Sequence, residues 1–476
     1  MPTQIVQEER VRVLRDVPPR DDGDYVLYWM QQSQRAEDNP ALEHAVRWAN
    51  QLGVRLAVCF GLMDGYPGAN ARHYRFMLEG LAETARSLAR RGIPLILRHG
   101  DPADVALELA QEAALLVCDR GYLRHQREWR EGVSAEARCR VEEVEADVVV
   151  PLEVVSDKRE YAARTIRPRI HRHLDRYLVE LRTTPLERGS MDLGRDGADA
   201  VGGLDPSDPV GLLRRLDLDR SVPPVTEFFR GGTSEGKRRV RRFVEARLKR
   251  YDENRNQPQT DDTSGLSPYL HFGQVSPVWA AMEVGGSRHG SKEDRDAFVE
   301  ELVVRRELAA NYCRYEPAYD DYSALPEWAR KTLGEHRDDE REHVYTRGRL
   351  ERAETHDPWW NAAQREMRYT GYMHNHMRMY WGKRILAWTS SPEEAYRTAL
   401  HLNDRYFLDG RDCSSYANVG WLFGLHDRAW GERDVFGKVR VMTSGGLERK
   451  TDPDAYVAKV DRLVERAQAA GVVFGE

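Results

Sequence analysis

Tyr25-Val26-Leu27-Tyr28-Trp29-Met30 is a run of apolar and aromatic residues, followed by Pro40–Leu52 at helical spacing and then by Val54-Arg55-Leu56-Ala57-Val58-Cys59-Phe60. Short apolar runs of this kind predict strands buried on both faces, and the pattern between them predicts an amphipathic helix. The alternation continues. Strands are expected at Ile93–Arg98, Leu115–Cys118 and Val148–Pro151, and helices at Ala71–Arg91, Pro102–Ala114 and Leu123–Val144. Strands alternating with helices form a doubly wound, Rossmann-like parallel sheet, which takes ligands at the carboxyl ends of its strands. No GxGxxG or Walker sequence follows a strand here, so motif reading alone names no ligand.

The whole chain has 476 residues, enough for two or three domains. A cluster of glycines (among them Gly189, Gly194, Gly197, Gly202, Gly203, Gly231 and Gly232) and prolines (among them Pro206, Pro209, Pro223 and Pro224) marks residues 185–235 as a linker. We therefore expect an N-terminal extension over 1–24, an α/β domain over 25–184, the linker, and an all-α domain over 236–476. Helices are expected at Trp359–Tyr369, Met373–Trp388, Pro392–Leu402 and Pro453–Ala469, the last capped by Asp452 with Pro453 in its first turn. The five cysteines are scattered with no CxxC pair, which points to reduced thiols and to no metal or cluster site. No window suits a membrane span, and the polar Met1–Arg20 segment carries no signal-peptide pattern, so a cytoplasmic protein is expected. The net charge of −6 argues against coating nucleic acid by bulk charge but leaves room for a local basic face.

Residues 359–421 hold five tryptophans: Trp359, Trp360, Trp381, Trp388 and Trp421. Indoles are usually core, but a series of them also suits electron transfer to a buried cofactor. Thr263-Ser264-Gly265-Leu266-Ser267-Pro268 sets hydroxyls and a glycine before a helix, which reads as an ordinary cap or as a phosphate cradle. Arg378 and Asp409 are a candidate buried ion pair. Lys237, Arg238, Arg239, Arg241, Arg242, Arg247, Lys249 and Arg250 form the densest basic run, either a DNA-facing surface or a solvated helix face.

Tyr372-Met373-His374-Asn375-His376-Met377-Arg378-Met379 and Ser267-Pro268-Tyr269-Leu270-His271-Phe272-Gly273 together resemble the flavin domain of the DNA photolyase and cryptochrome superfamily. Tyr28–Arg35, Ala69–Leu78 and Lys158–Pro168 look like signatures of its class II cyclobutane pyrimidine dimer photolyases. The resemblance runs from about residue 25 to 450. It implies an α/β domain with an optional antenna chromophore, a deazaflavin or a folate, and a helical domain holding reduced FAD. The implied activity is light-driven repair of pyrimidine dimers in UV-damaged DNA by a monomer that needs no protein partner.

By the same resemblance, Tyr251, Thr263, Ser264, Gly265, Leu266, Ser267, Arg378, Asp409, Gly410 and Arg411 hold FAD, with Asn403 near flavin N5. Glu301 would hydrogen-bond the lesion, and Trp421, Met379 and Asn375 would complete its pocket. Trp381, Trp360 and Trp388 match the class II electron path, with Tyr345 and Tyr380 as assistants. Arg255, Arg428, Trp430 and Arg440 would contact DNA, the last segment filling the gap left by the flipped bases. Gln257 replaces the usual Asp. Asp412-Cys413-Ser414-Ser415-Tyr416 departs from the usual Asp-Pro-Asn-Gly-Tyr, so a differently shaped turn and an altered lesion fit are expected there. Two alternatives are a cryptochrome-like photoreceptor, which would not need Glu301, Met379, Trp421 or a basic rim, and a (6-4) photoproduct enzyme using His374 and His376.

Overall fold

The structure is a computed structural model that describes residues 3–4, 6–193 and 203–475; Gly194, Gly197 and Gly202 of the linker lie outside them. A seven-stranded sheet runs in the order Val11–Arg15, Arg140–Val144, Ala113–Asp119, Tyr25–Trp29, Arg55–Leu62, Leu95–His99, Gly203–Leu204. The inner five strands are parallel, and the two outermost pair antiparallel to them. Every side chain of Tyr25–Trp29 is buried, because helices cover both faces and strands flank both edges. The helix expected at Pro40–Leu52 is present: Asn39 accepts from the amides of Ala41 and Leu42, and Gly53 ends it at φ +67°.

Two expectations about the sheet need correction. The fifth parallel strand is Arg140–Val144, not Val148–Pro151, and the helix expected over Leu123–Val144 stops at Glu136. Arg140-Val141-Glu142-Glu143-Val144 reads as helical because its carboxylates look solvated. In the fold Glu142 is instead held by His44, Trp48 and Arg140 at 2.6, 2.8 and 2.6 Å. The apolar Val148–Val150 run is buried at the seam with the helical region, where the amides of Val149 and Val150 donate to Glu307 rather than to a strand. Two segments read as extension and linker also join the sheet: Val11–Arg15 closes one edge and Gly203–Leu204 the other.

From Thr233 on, the chain is helical. Pro358–Thr370, Asn375–Trp388, Pro392–Tyr406, Cys413–Leu422 and Pro453–Ala469 surround a core that contains Trp360, Trp381 and Trp388. Asp452 caps the last helix through the amide of Ala455 at 2.9 Å. Two buried arginines stitch the halves together. Arg35 binds Asp147 and the Gly273 carbonyl, both at 2.9 Å. Arg72 donates to the carbonyls of Pro223, Met367, Arg368 and Tyr406. A buried guanidinium with only backbone acceptors replaces much of its lost hydration, and it locks the loops that supply them. No helix among the described residues is long and apolar enough to cross a membrane.

Candidate cofactor pocket and DNA-facing site

Helix Asn375–Trp388 carries Arg378, whose Nη2 donates to both Asp409 oxygens at 3.0 Å and whose Nε donates to the Met373 carbonyl. The guanidinium lies 3.9 Å over the Phe407 ring. Asp409 belongs to the turn after helix Pro392–Tyr406, and Gly410 packs that turn onto the helix: a Cβ there would stand 2.8 Å from the Asn403 carbonyl oxygen. Asn403 is buried on the last turn of the helix, its Nδ2 donating to Asp404 at 2.9 Å. Burial raises the Asp404 carboxyl to about 6, against the pull of Arg411. Arg411 leaves this group. It adopts φ +64° and directs Nη1 to the Asp404 carbonyl and to His73, toward the α/β domain. Burial and the neighbouring Arg411 and Arg72 keep His73 neutral.

Tyr251 is buried between Phe243 and Phe298, with ring centroids at 5.4 and 5.8 Å. The Thr263 hydroxyl meets the Tyr372 hydroxyl at 3.3 Å, and the Arg378 guanidinium lies 5.7 Å from the Tyr372 ring. A continuous wall thus runs from Thr263 to Asp409. Gly265 turns at φ +62°, with Arg239 Nη1 3.3 Å from where its Cβ would stand. Leu266 is buried behind the turn. The helix that follows is only Ser267–His271, too short for an appreciable dipole, so a phosphate here would have to be held by hydroxyls and amides. Ser264 and Ser267 make no side-chain hydrogen bond among the described residues, so both hydroxyls remain available.

The three tryptophans expected to share a role are brought together. Trp360 Nε1 donates to the Trp381 carbonyl at 2.9 Å, and the Trp360 and Trp388 rings lie 5.8 Å apart. Trp381 Nε1 donates to Gln364 at 2.8 Å and its ring lies 6.4 Å from Phe407, the same ring that carries Arg378. Tyr345 packs on the far side of Trp388 at 5.7 Å, and Tyr380 is tied to Asp357.

Glu300–Arg305 is π-helical, which the apolar spacing did not reveal. The wider turn separates two adjacent acids. Glu300 is held by Arg167 at 2.6 Å, whereas Glu301 is exposed and pairs with Arg255 at 3.1 Å. Asn375 and Met379 lie one turn apart on their helix, the first exposed and the second half-buried. Trp421, on the adjacent helix Cys413–Leu422, is also half-buried, which sets it apart from the core indoles. Trp430 is 40% exposed, with the guanidiniums of Arg428 and Arg440 at 5.0 and 4.4 Å from its ring. Asp427 accepts from Arg440 at 2.9 Å and from the Trp430 indole at 3.3 Å. By contrast, much of the basic run over 237–250 is neutralised internally: Lys237 by Glu37 and Asp38, Arg238 and Arg239 by Glu235, Arg250 by Asp262.

A cleft of about 1060 Å³, its open mouth included, lies between the halves at the carboxyl ends of the strands. Phe60, Leu62, Met63 and Trp129 give it apolar walls. Gln34, Asp147, His271 and Arg411 also line it, and among the described residues Gln34 Oε1, Asp147 Oδ2, His271 Nδ1 and Arg411 Nε are buried without a hydrogen-bond partner. Of these, Gln34 and His271 lie in the quoted family-like segments and Arg411 was expected at the FAD; Phe60, Leu62, Met63, Trp129 and Asp147 were given no role, and the signal for them was the strand ends themselves. Cys413 and Ser414 also line this cleft, at the start of their helix, while Trp421 is near its other end. The Cys413-Ser414-Ser415 departure therefore falls in the cleft wall, at the end of the helix away from Trp421. Asp412 caps the helix through the Ser415 amide at 2.7 Å.

Residues 26–188 match the model of the DNA photolyase family. The chain is 46% identical over 463 residues to the deoxyribodipyrimidine photo-lyase of Methanothermobacter thermautotrophicus, covering 97% of this chain and all of that protein. To the deoxyribodipyrimidine photo-lyase of Oryza sativa subsp. japonica it is 42% identical, covering 96% of this chain and 92% of the relative. A class III photolyase crystal structure from Agrobacterium tumefaciens superposes with a TM-score of 0.67 over 95% of this chain and 93% of that one at 18% identity, a likeness of fold. Identity this high over nearly the full length, on this architecture, means that the chain belongs to the DNA photolyase family.

Proposed function

We propose that this protein is a deoxyribodipyrimidine photo-lyase of class II type, which uses light to split cyclobutane pyrimidine dimers in UV-damaged DNA. The observation that carries the reading is near-complete coverage of two photo-lyases at 42–46% identity, joined to a helical half that keeps Arg378–Asp409, Asn403 and the tryptophan series in one connected core. FAD bound in its reduced form would supply, on excitation, the electron that opens the cyclobutane ring. The donor set fits that group: unengaged hydroxyls at Ser264 and Ser267 for a diphosphate, and an arginine–carboxylate pair for the ring.

In this reading Tyr251, Thr263, Ser264, Gly265, Leu266 and Ser267 hold the diphosphate end, and Arg378, Asn403, Asp409 and Gly410 hold the ring. Arg411 supports the ring turn from behind. Asn375, Met379 and Trp421 wall the flipped dimer, and Glu301, released by Arg255 when DNA binds, hydrogen-bonds its bases. Trp430, flanked by Arg428 and Arg440, fills the vacated stack while the cations meet phosphates. Trp388, Trp360 and Trp381 lead electrons inward to restore the reduced flavin. The interdomain cleft, with apolar walls and unpartnered polar atoms at its end, suits a planar second chromophore such as a deazaflavin.

The test is light-dependent loss of a thymine dimer from a defined oligonucleotide, with FAD and reductant supplied and a dark control run in parallel. Repair in light alone is expected. Bound flavin that photoreduces without repair would instead indicate a photoreceptor.

A further inference from the structure

We propose that Asp404 is a positioning residue that sets the orientation of the Asn403 amide and fastens the Asp409-Gly410-Arg411 turn beside it. The inference rests on the reading that Asn403 faces flavin N5. Asp404 Oδ1 accepts from Asn403 Nδ2 at 2.9 Å and from the Arg411 amide at 3.1 Å. Its own carbonyl accepts from Arg411 Nη1 at 2.7 Å. One residue therefore binds the two pieces of chain that flank the ring: the end of helix Pro392–Tyr406 and the turn that carries Asp409.

The amide orientation has a chemical consequence. An asparagine side chain offers an NH₂ on one side and a carbonyl on the other. With the NH₂ committed to the Asp404 carboxylate, the carbonyl is the group left to face elsewhere. The opposite rotamer would set a carbonyl oxygen against a carboxylate oxygen, which is repulsive in a buried site. A carbonyl accepts a hydrogen bond and so favours a flavin N5 that carries a proton; an NH₂ would favour a bare N5. The carboxyl titrates near 6 through burial, so it is an acceptor at neutral pH. Asp404 also lines a surface groove with Gly68, Asp219, Arg397, His401 and Arg405. Gly410 enforces the arrangement, because any side chain there would strike the Asn403 carbonyl and the Asp404 Cα at 2.8 and 3.1 Å.

The experiment uses the FAD-loaded protein and reads the visible spectrum after one-electron photoreduction, where a long-wavelength band reports a protonated N5. Asp404→Leu is expected to lose that band while retaining flavin, as is Asn403→Leu, and Asp404→Asn, which can still accept from both donors, is expected to keep it. Should leucine disrupt folding, Asp404→Ser, too short to reach Asn403, serves the same purpose. A wild-type spectrum in Asp404→Leu and Asp404→Ser, with the band lost in Asn403→Leu, overturns the positioning role. An unchanged spectrum in Asn403→Leu itself shows that Asn403 does not face N5, and it is then the underlying site reading that falls.

Discussion

Single residues decide what the buried core of the helical half can do. Trp360 is fully buried and links the other two indoles, by a hydrogen bond to the Trp381 carbonyl and by ring contact with Trp388. Trp360→Phe removes the indole at a cost of about 1–3 kcal/mol for the lost hydrogen bond and lost volume. Flavin photoreduction is expected to slow many-fold, while repair by chemically pre-reduced enzyme stays near wild type; transient absorption and the repair assay separate the two. The Arg378–Asp409 pair answers to a different measurement. Asp409→Asn leaves a guanidinium uncompensated in a largely buried place and is expected to cost roughly 2 kcal/mol in denaturant unfolding. The double change Arg378→Met with Asp409→Leu is expected to cost less than that single one. A larger loss in the double variant would mean that the pair itself, rather than the orphaned charge, supplies the stability.

Elements matter through how they place these residues. The turn after helix Pro392–Tyr406 is pressed so closely to the helix that Gly410→Ala must displace it, at a cost of about 1–3 kcal/mol. We expect this variant to lose FAD more readily in dialysis, with the α/β half unaffected; full FAD retention would show that the turn does not shape the pocket. The π-helical Glu300–Arg305 segment is a second such device. It gives Glu300 to Arg167 and leaves Glu301 beside Arg255 at the surface, a division that an uninterrupted α-helix would not produce in the same register. Nothing in the spacing of Phe298, Leu302 and Leu308 announces it, because one extra residue in a turn barely disturbs the apolar pattern.

At the scale of the whole molecule, the two halves are joined by buried polar groups as well as apolar area. Glu307 is buried at the seam, accepting from the amides of Val149 and Val150, and burial raises its carboxyl to about 8. The native state then holds this proton over a range where the unfolded chain, near 4.5, has released it. Stability is therefore lost as pH rises from about 4.5 through about 8. The melting temperature of Glu307→Gln is expected to fall less steeply over that range than that of the parent. Parallel profiles would mean that Glu307 is not protonated at the seam.

Much of this architecture is legible in one dimension. Apolar runs buried on both faces announce the inner strands, and a capping residue such as Asp452 fixes a helix start to the residue, because both effects are local. The flavin-domain resemblance is what proposes residues for a cofactor pocket, because a reaction constrains side-chain types in fixed order. Tertiary structure alone decided the rest. Arg140–Val144 is a strand only because His44, Trp48 and Arg140 satisfy Glu142 there. The basic run of helix Thr233–Ala246 is largely spent on Glu235, Glu37 and Asp38, two of which come from the other half. The cleft between the halves, the union of Asn403 with the Asp409 turn through Asp404, and the seam around Glu307 all depend on contacts between distant segments. Such contacts carry their energy in desolvation and hydrogen bonding across space, for which neighbours along the chain give no signal.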